Sequence, residues 1–193
     1  MTRRRYIFLK AFKASLPILM GYGTMGFAAG VVFAAQSGVA CPAVWSGAIG
    51  ATCVSGTLHF VIGDWMGKGM SLASVVLLAF AISFRYGLYG FSLIERWRGI
   101  GIWRKLFLIL GLADENYALE VSCTLKKRED YANYCTILTA LDISYWFLGT
   151  TIGAFAGSTL PIPHKGIEFV MAALFISILT DQVKFILKSS VNF

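Results

Sequence analysis

Charged residues make up only 14% of this 193-residue sequence, where a soluble domain carries about 25%. That leaves too little polar surface to cover a chain that is 57% hydrophobic with a mean hydropathy of +0.69, and it excludes an ordinary water-soluble enzyme. Histidine is nearly absent, with two in the chain, and the four cysteines (Cys41, Cys53, Cys123 and Cys135) form no C-x-x-C pair. Neither a zinc site nor a redox dithiol has its ligands at usable spacing, so no metal or other cofactor is expected. Cys123 and Cys135 flank one polar loop and would pair only if it faced an oxidising side; otherwise all four read as small apolar residues. Ser55, Ser83, His59 and Asp142 fall in no nucleophile-and-base motif, so an intramembrane enzyme has no sequence support. The apolar run after Lys13 continues past Val32 without a small-residue cleavage site, which argues against a secretory leader.

What the chain does have is long apolar runs flanked by positive charge. At roughly 30 residues per membrane segment and its loop, the length accommodates about six buried segments in one domain. These run over Ala14 to Ala35, Ala43 to Ile62, Met70 to Leu93, Ile102 to Leu119, Tyr134 to Leu160 and Gly166 to Leu187, with KKRED (Lys126 to Asp130) as an exposed connection. Backbone groups in hydrocarbon must be satisfied internally, so all six are expected to be helical. Lys and Arg outnumber Asp and Glu by 17 to 10, but the excess is local. Arg3, Arg4, Arg5, Lys10 and Lys13 crowd residues 1–13, and Arg96, Arg98, Arg104 and Lys105 fill one loop. That placement follows the positive-inside rule, with a cytoplasmic N-terminus, and no aromatic-interleaved basic face points to nucleic acid.

The first and fifth segments share a pattern at an offset of 123 residues. Tyr22, Gly26, Gly30 and Ala34 match Tyr145, Gly149, Gly153 and Gly157 in order. The offset also places Thr57-Leu58-His59 on Thr180-Asp181-Gln182. Small residues four apart let helices approach closely in a bilayer, and packing alone would explain either ladder. Together they suggest two repeats, residues 14–93 and an incomplete 134–187, joined by a connecting helix at 102–119. The counterpart of Met70 to Leu93 would begin at residue 193, so the second repeat is expected to lack its third member, which another subunit would supply unless the chain is a shortened form. If every segment spans, the repeats are parallel; if the second dips in and returns, they are inverted. The Lys and Arg count does not separate the two. The short, glycine-broken second segment favours the inverted form, giving an all-α polytopic membrane fold with broken or re-entrant helices.

Repeats with glycine- and proline-broken segments point to a transporter whose site lies where the discontinuous helices meet. Ionisable side chains at bilayer depth are costly and become candidates for that site. Arg85 sits roughly 15 residues into its helix, on one face with Tyr89 and Ser92, and offers a planar fork for a carboxylate; alternatively it pairs with Asp114 or Glu115. Those two acids could carry a proton or meet a substrate ammonium if the helix breaks beside them; alternatively they mark its wet terminus. Asp142 lies one turn ahead of Trp146 on the glycine face and points at a neighbouring helix. His59 is a possible proton relay or an interfacial residue, and Glu168 reads as a helix-start anion.

The runs LADEN (Leu112 to Asn116) followed by ALEVS, SFRYGLYGFSL (Ser83 to Leu93), YWFLGTTIGAFAG (Tyr145 to Gly157) and EFVMAALFISILTDQ (Glu168 to Gln182) resemble the AzlC-type branched-chain amino acid exporters, the LIV-E family. The likeness covers about Ala14 to Gln182. It implies export of leucine, isoleucine and valine, with methionine as a further candidate, across a bacterial inner membrane, and a small AzlD-type membrane protein as partner. The resemblance and the polar pattern together make Arg85, Tyr86, Asp114, Glu115, Asn116, Thr57 and His59 candidate substrate-binding residues. Asp114, Glu115 and Asp142 are the candidate proton relay, and Phe84 or Phe27 would contact the substrate side chain. The chain departs from the family where Asn-Leu-Arg-His becomes Ser83-Phe84-Arg85-Tyr86, and where Gly-Ala-Ala-Gln-Phe becomes Gly56-Thr57-Leu58-His59-Phe60, so the pocket's polar chemistry is altered. A structural membrane subunit without transport of its own is the alternative.

Overall fold

The structure is a computed structural model that describes residues 2–160 apart from Val54 and Met70. The sixth apolar segment, with Glu168, Asp181 and Gln182, lies outside the described residues. Seven helices occur among them: α1 (Arg3–Gln36), α2 (Pro42–Thr52), α3 (Gly56–Lys68), α4 (Leu72–Leu93), α5 (Ile102–Leu110), α6 (Asp114–Val121) and α7 (Arg128–Thr159). The chain is an all-α membrane protein, and α1, α4 and α7 are long and apolar enough to cross a bilayer. At 34 residues, α1 is about 51 Å long against a hydrocarbon core of about 30 Å, so its basic start extends beyond the membrane. Helix α7 begins at Arg128 inside KKRED, so three of the five residues of that expected connection are helical.

Helices α1 and α7 form the centre, and they run in the same direction. The Arg3 guanidinium pairs with Asp130 at 2.7 Å, the Ser15 and Tyr145 hydroxyls meet at 3.1 Å, and Gly26 faces Gly149. Towards their far ends Val31 and Ala34 meet Gly157. The two glycine ladders are therefore each other's partners. A Cβ on Gly30 would collide with the Thr150 carbonyl, and one on Gly153 with the Phe27 carbonyl. Phe27 and Thr150 are themselves 123 residues apart, so the same contact is made twice. Only the missing side chains allow this approach, in which van der Waals contact and close backbones replace the hydrophobic drive that lipid cannot supply.

The second apolar segment is divided into α2 and α3 and turns back. Helix α2 runs against the direction of α7: Ser46 meets Thr150, Gly47 and Gly50 meet Phe147, and Gly56, just beyond the break, meets Trp146. Helix α3 then returns alongside α1, with His59 and Gly63 on Phe33 and Gly67 on the Gln36 carbonyl. Its end is thus beside the end of α1, where α2 began. Pro42 opens α2 at a position where a missing N–H costs nothing. The Ser55 hydroxyl accepts from the Leu58 N–H to start α3, and Gly69 at φ 64° closes it.

The fourth segment, expected as one connecting helix over 102–119, is also broken, at Gly111–Ala113. Helix α5 rises beside α7, with Arg104 on Asn133 and Thr136 and Gly111 against Thr139 and Ile143. Helix α6 descends again, from Glu115 at Tyr22 to Glu120 at Tyr131. A Cβ at Gly111 would overlap the Thr139 methyl, which explains glycine at this turn. Because this second hairpin returns, only α1 and α4 cross before α7, and α7 must parallel α1. The expected inverted relation between the first and fifth segments is corrected on this point: an axis in the membrane plane would have made them antiparallel. An inverted arrangement occurs one unit over. Helix α4 ends with Leu93 packed in one cluster with Ile7 and Ala11 near the start of α1, so it runs opposite to α1. Each of α1 and α4 is followed by a hairpin that enters from the end it has just reached.

This topology sorts the charge. Arg3, Arg4, Arg5, Lys10, Arg96, Arg98, Arg104, Lys105, Lys126, Lys127 and Arg128 gather at one end, hereafter the basic end, while Lys68 lies at the opposite, far end.

Candidate functional site

Both hairpins end on one aromatic pair. Tyr22 of α1 and Trp146 of α7 meet edge to face with centroids 5.3 Å apart. The tip of α2–α3 touches this pair through Gly56, which faces the six-membered ring of Trp146. The tip of α5–α6 touches it through Ala113, packed in the same cluster as Tyr22, Tyr145 and Trp146, and through Glu115, which accepts a hydrogen bond from the Tyr22 hydroxyl at 2.9 Å. From Gln36 back to Tyr22 is 14 residues, or about 21 Å along the helix, so the first hairpin reaches well into the bilayer.

The two tips differ electrically. Each presents a helix N-terminus, where unsatisfied N–H groups and the helix dipole favour negative charge. The first turn of α6 already contains Asp114 and Glu115, whereas the first turn of α3 contains no acid. One tip is therefore left acidic and the other anion-seeking.

Arg85 forms an ion pair with Asp114 at 3.0 Å, and it also donates to the Tyr86 hydroxyl at 2.9 Å. Of the two positions open to it from sequence, the structure places it in the acid pair, with both partners nearly half exposed. On the same face, Tyr89 stacks on Tyr117 with centroids 4.4 Å apart, and Ser92 donates to the Tyr117 hydroxyl. Asn116 is buried at the second tip, its amide donating to the Gly111 carbonyl at 2.9 Å. Thr57 is half-buried at the first tip. Phe84 and Phe27 are brought to neither tip: Phe84 is exposed on α4 beside Phe80, and Phe27 gives its carbonyl to the α1–α7 contact.

His59 is fully buried. Its Nε2 lies 2.8 Å from the Ser46 hydroxyl, joining the two arms of the first hairpin, and its ring stands edge-on to Phe33 and Trp146. Ser46 also contacts the Thr150 carbonyl at 3.2 Å. A lone serine in an apolar run gives no functional signal in sequence, so its role in tying three helices together is visible only in the structure. Ser15, meeting Tyr145 across the bundle, is equally silent. Asp142 is fully buried with neither carboxyl oxygen bonded to protein. All four cysteines are free, Cys41 exposed, Cys53 and Cys123 half-buried and Cys135 buried. No group of three or more metal-ligating side chains occurs among the described residues.

Comparison with known proteins bears on this arrangement. The family described as AzlC protein matches residues 17–160. The branched-chain amino acid transport protein AzlC of Bacillus subtilis is 29% identical over 175 residues, covering 91% of this chain and 67% of that protein. An uncharacterized membrane protein of Helicobacter pylori strain J99 is 30% identical over 181 residues, covering 92% of this chain and 78% of its own. The inner membrane protein YgaZ of Escherichia coli K12 is 29% identical over 178 residues, covering 89% of this chain and 71% of its own. No solved structure matches. With most of its length matched by the family pattern, from the first span through the aromatic pair to the end of α7, the chain belongs to the AzlC family.

Proposed function

We propose that the chain is the membrane subunit of an amino acid exporter that moves leucine, isoleucine and valine, with methionine as a further candidate, coupled to protons and working with a small AzlD-type membrane protein. The observation that carries this reading is the meeting of two oppositely entering hairpins at Tyr22 and Trp146, the kind of broken-helix junction in which transporters bind small polar substrates. The name of the Bacillus subtilis relative supports the substrate class.

The electrical difference between the tips fits a zwitterion. The acid-free N-terminus of α3, at Gly56 and Thr57, takes the carboxylate; Glu115 and Asp142 take the ammonium; Trp146 supplies an apolar wall for the side chain. Arg85 in this reading holds Asp114 in place and does not anchor the carboxylate. The basic end faces the cytoplasm of a bacterial inner membrane, following the positive-inside rule. Residues 14–93 and 134–187 act as two parallel repeats, with the α1–α7 seam between them.

The test is counterflow of radiolabelled leucine, isoleucine, valine and methionine in liposomes, with and without the small partner. Accumulation of at least one of the four supports the reading. A flat response to all four in both preparations contradicts it and leaves a structural role.

A further inference from the structure

A cavity of about 220 Å³ opens at the basic end, away from the site described above. At about 30 Å³ per water it has room for roughly seven. Three stretches of chain line it: Glu95 and Arg96 from the turn after α4, Cys123, Leu125 and Lys126 from the connection between α6 and α7, and Arg128 and Tyr131 from the start of α7. Tyr131 belongs to the apolar cluster that holds Ile7, Leu93 and Trp97, and Cys123 and Leu125 pack against that cluster. One part of the lining is therefore apolar, and the rest carries three cations and one acid.

The cations exceed what the protein itself neutralises. Glu95 is already paired with Arg98 at 3.6 Å. The Arg96 guanidinium donates through Nη1 to the Glu120 and Val121 carbonyls at 2.8 and 3.0 Å, and it lies over the Tyr131 ring at 5.5 Å. These contacts fix its position and leave its charge uncompensated, because none of them is to an anion. Lys126 and Arg128 form no ion pair among the described residues. The acids close by in sequence do not help: Asp130 is bonded to Arg3 at 2.7 Å, Glu120 is buried, and neither of these nor Glu129 lines the cavity.

An immobilised guanidinium with two further cations beside it is a receptor for phosphate, whose oxygens match the planar fork of donors. The level of the cavity indicates the source of that phosphate. It lies where α4 ends and α7 begins, two helices long and apolar enough to cross a bilayer. Trp103, at the start of the neighbouring α5, is 82% exposed, as aromatic residues at a membrane interface are. Basic pockets at that level hold lipid headgroups, and the apolar Leu125 and Cys123 suit the glycerol that follows the phosphate.

We propose that this cavity binds the phosphate of an anionic phospholipid, with Arg96 as the fixed anchor and Lys126 and Arg128 closing on the same group. A zwitterionic lipid binds less well, because its own cation is repelled by the rim. The bound lipid would join the turn after α4 to the start of α7 and so brace the basic end. This assignment is independent of the exporter reading: a chain that moves no amino acid binds the lipid all the same.

The test is native mass spectrometry of the full chain in detergent, titrated with phosphatidylglycerol or with phosphatidylcholine of the same acyl chains. The wild type is expected to bind phosphatidylglycerol more tightly. Each cation beside an anionic lipid is worth about fivefold in affinity, so Lys126→Gln with Arg128→Gln should weaken phosphatidylglycerol binding on the order of 20-fold. Lys10→Gln with Lys13→Gln removes the same charge from the same end but outside the cavity, and should change it little. Both exposed pairs should leave the lipid-free melting temperature unchanged, which shows that the variants fold. Equal binding of the two lipids by the wild type, or equal loss in the two double variants, overturns the proposal. Displacement of phosphatidylglycerol by millimolar sodium phosphate would also overturn it, by making the cavity a site for the free anion.

Discussion

The Tyr22 hydroxyl donates to Glu115 at 2.9 Å, and this bond ties the first span to the tip of the second hairpin. Tyr22→Phe keeps the ring against Trp146 and removes only the hydroxyl. A hydrogen bond to a charged group contributes about 1.5–3 kcal/mol, and partial exposure of Glu115 places the loss at the lower bound. The expected outcome is a several-fold rise in the KM for leucine with a melting temperature lower by a few degrees, measured by initial-rate export and by thermal unfolding in detergent. An unchanged KM would remove Glu115 from the site.

Gly30→Leu and Gly153→Leu should each destabilise the protein strongly, because each new side chain starts inside a backbone carbonyl of the facing helix. Overpacking typically costs about 1–3 kcal/mol, and here backbone, not a flexible side chain, must move. Gly21→Ala and Gly87→Ala, whose Cβ positions are open, serve as controls. Thermal unfolding should separate the two pairs cleanly.

How much of this is legible in the sequence follows from the same residues. The glycine ladders at an offset of 123 residues announce a close pair of helices, because small-residue spacing is a local signal that survives without tertiary context. Their direction is not legible. It depends on whether Gly111 interrupts a span or turns it, and a single glycine in an apolar run reads the same either way. The acids divide similarly. Asp114 and Glu115 stand out because charge at bilayer depth is conspicuous, and they do open a helix at the break. Glu120 sits just outside the expected segment and looks like a polar end; folding α6 back against α7 is what buries it.

Ser46→Ala should loosen the first hairpin. It removes the hydroxyl that meets His59 at 2.8 Å and reaches the Thr150 carbonyl, leaving His59 without that partner in a buried setting, at a cost of about 1–3 kcal/mol. The native Cys53, half-buried and free at the hairpin's turn, reports the change: its alkylation rate should rise in Ser46→Ala.

In the wild type, the same cysteine reports substrate. Cys53 lies three residues before Gly56 on the tip proposed to take the carboxylate, so saturating leucine should slow its alkylation several-fold, and an amino acid that is not transported should not. Equal protection by all amino acids would argue against a specific site at this tip.

The hairpins themselves are tested most directly by sidedness. In a cysteine-free background, Ala40→Cys, Lys68→Cys and Arg98→Cys are labelled one at a time with a membrane-impermeant thiol reagent, in intact cells and in inverted vesicles. Residues 40 and 68 flank the first hairpin at the far end, and Arg98 lies in the loop at the basic end. The structure predicts that Ala40→Cys and Lys68→Cys react from the same side and Arg98→Cys from the other. Labelling of Lys68→Cys from the side of Arg98→Cys would make α2–α3 a crossing and contradict the fold on which the site is built.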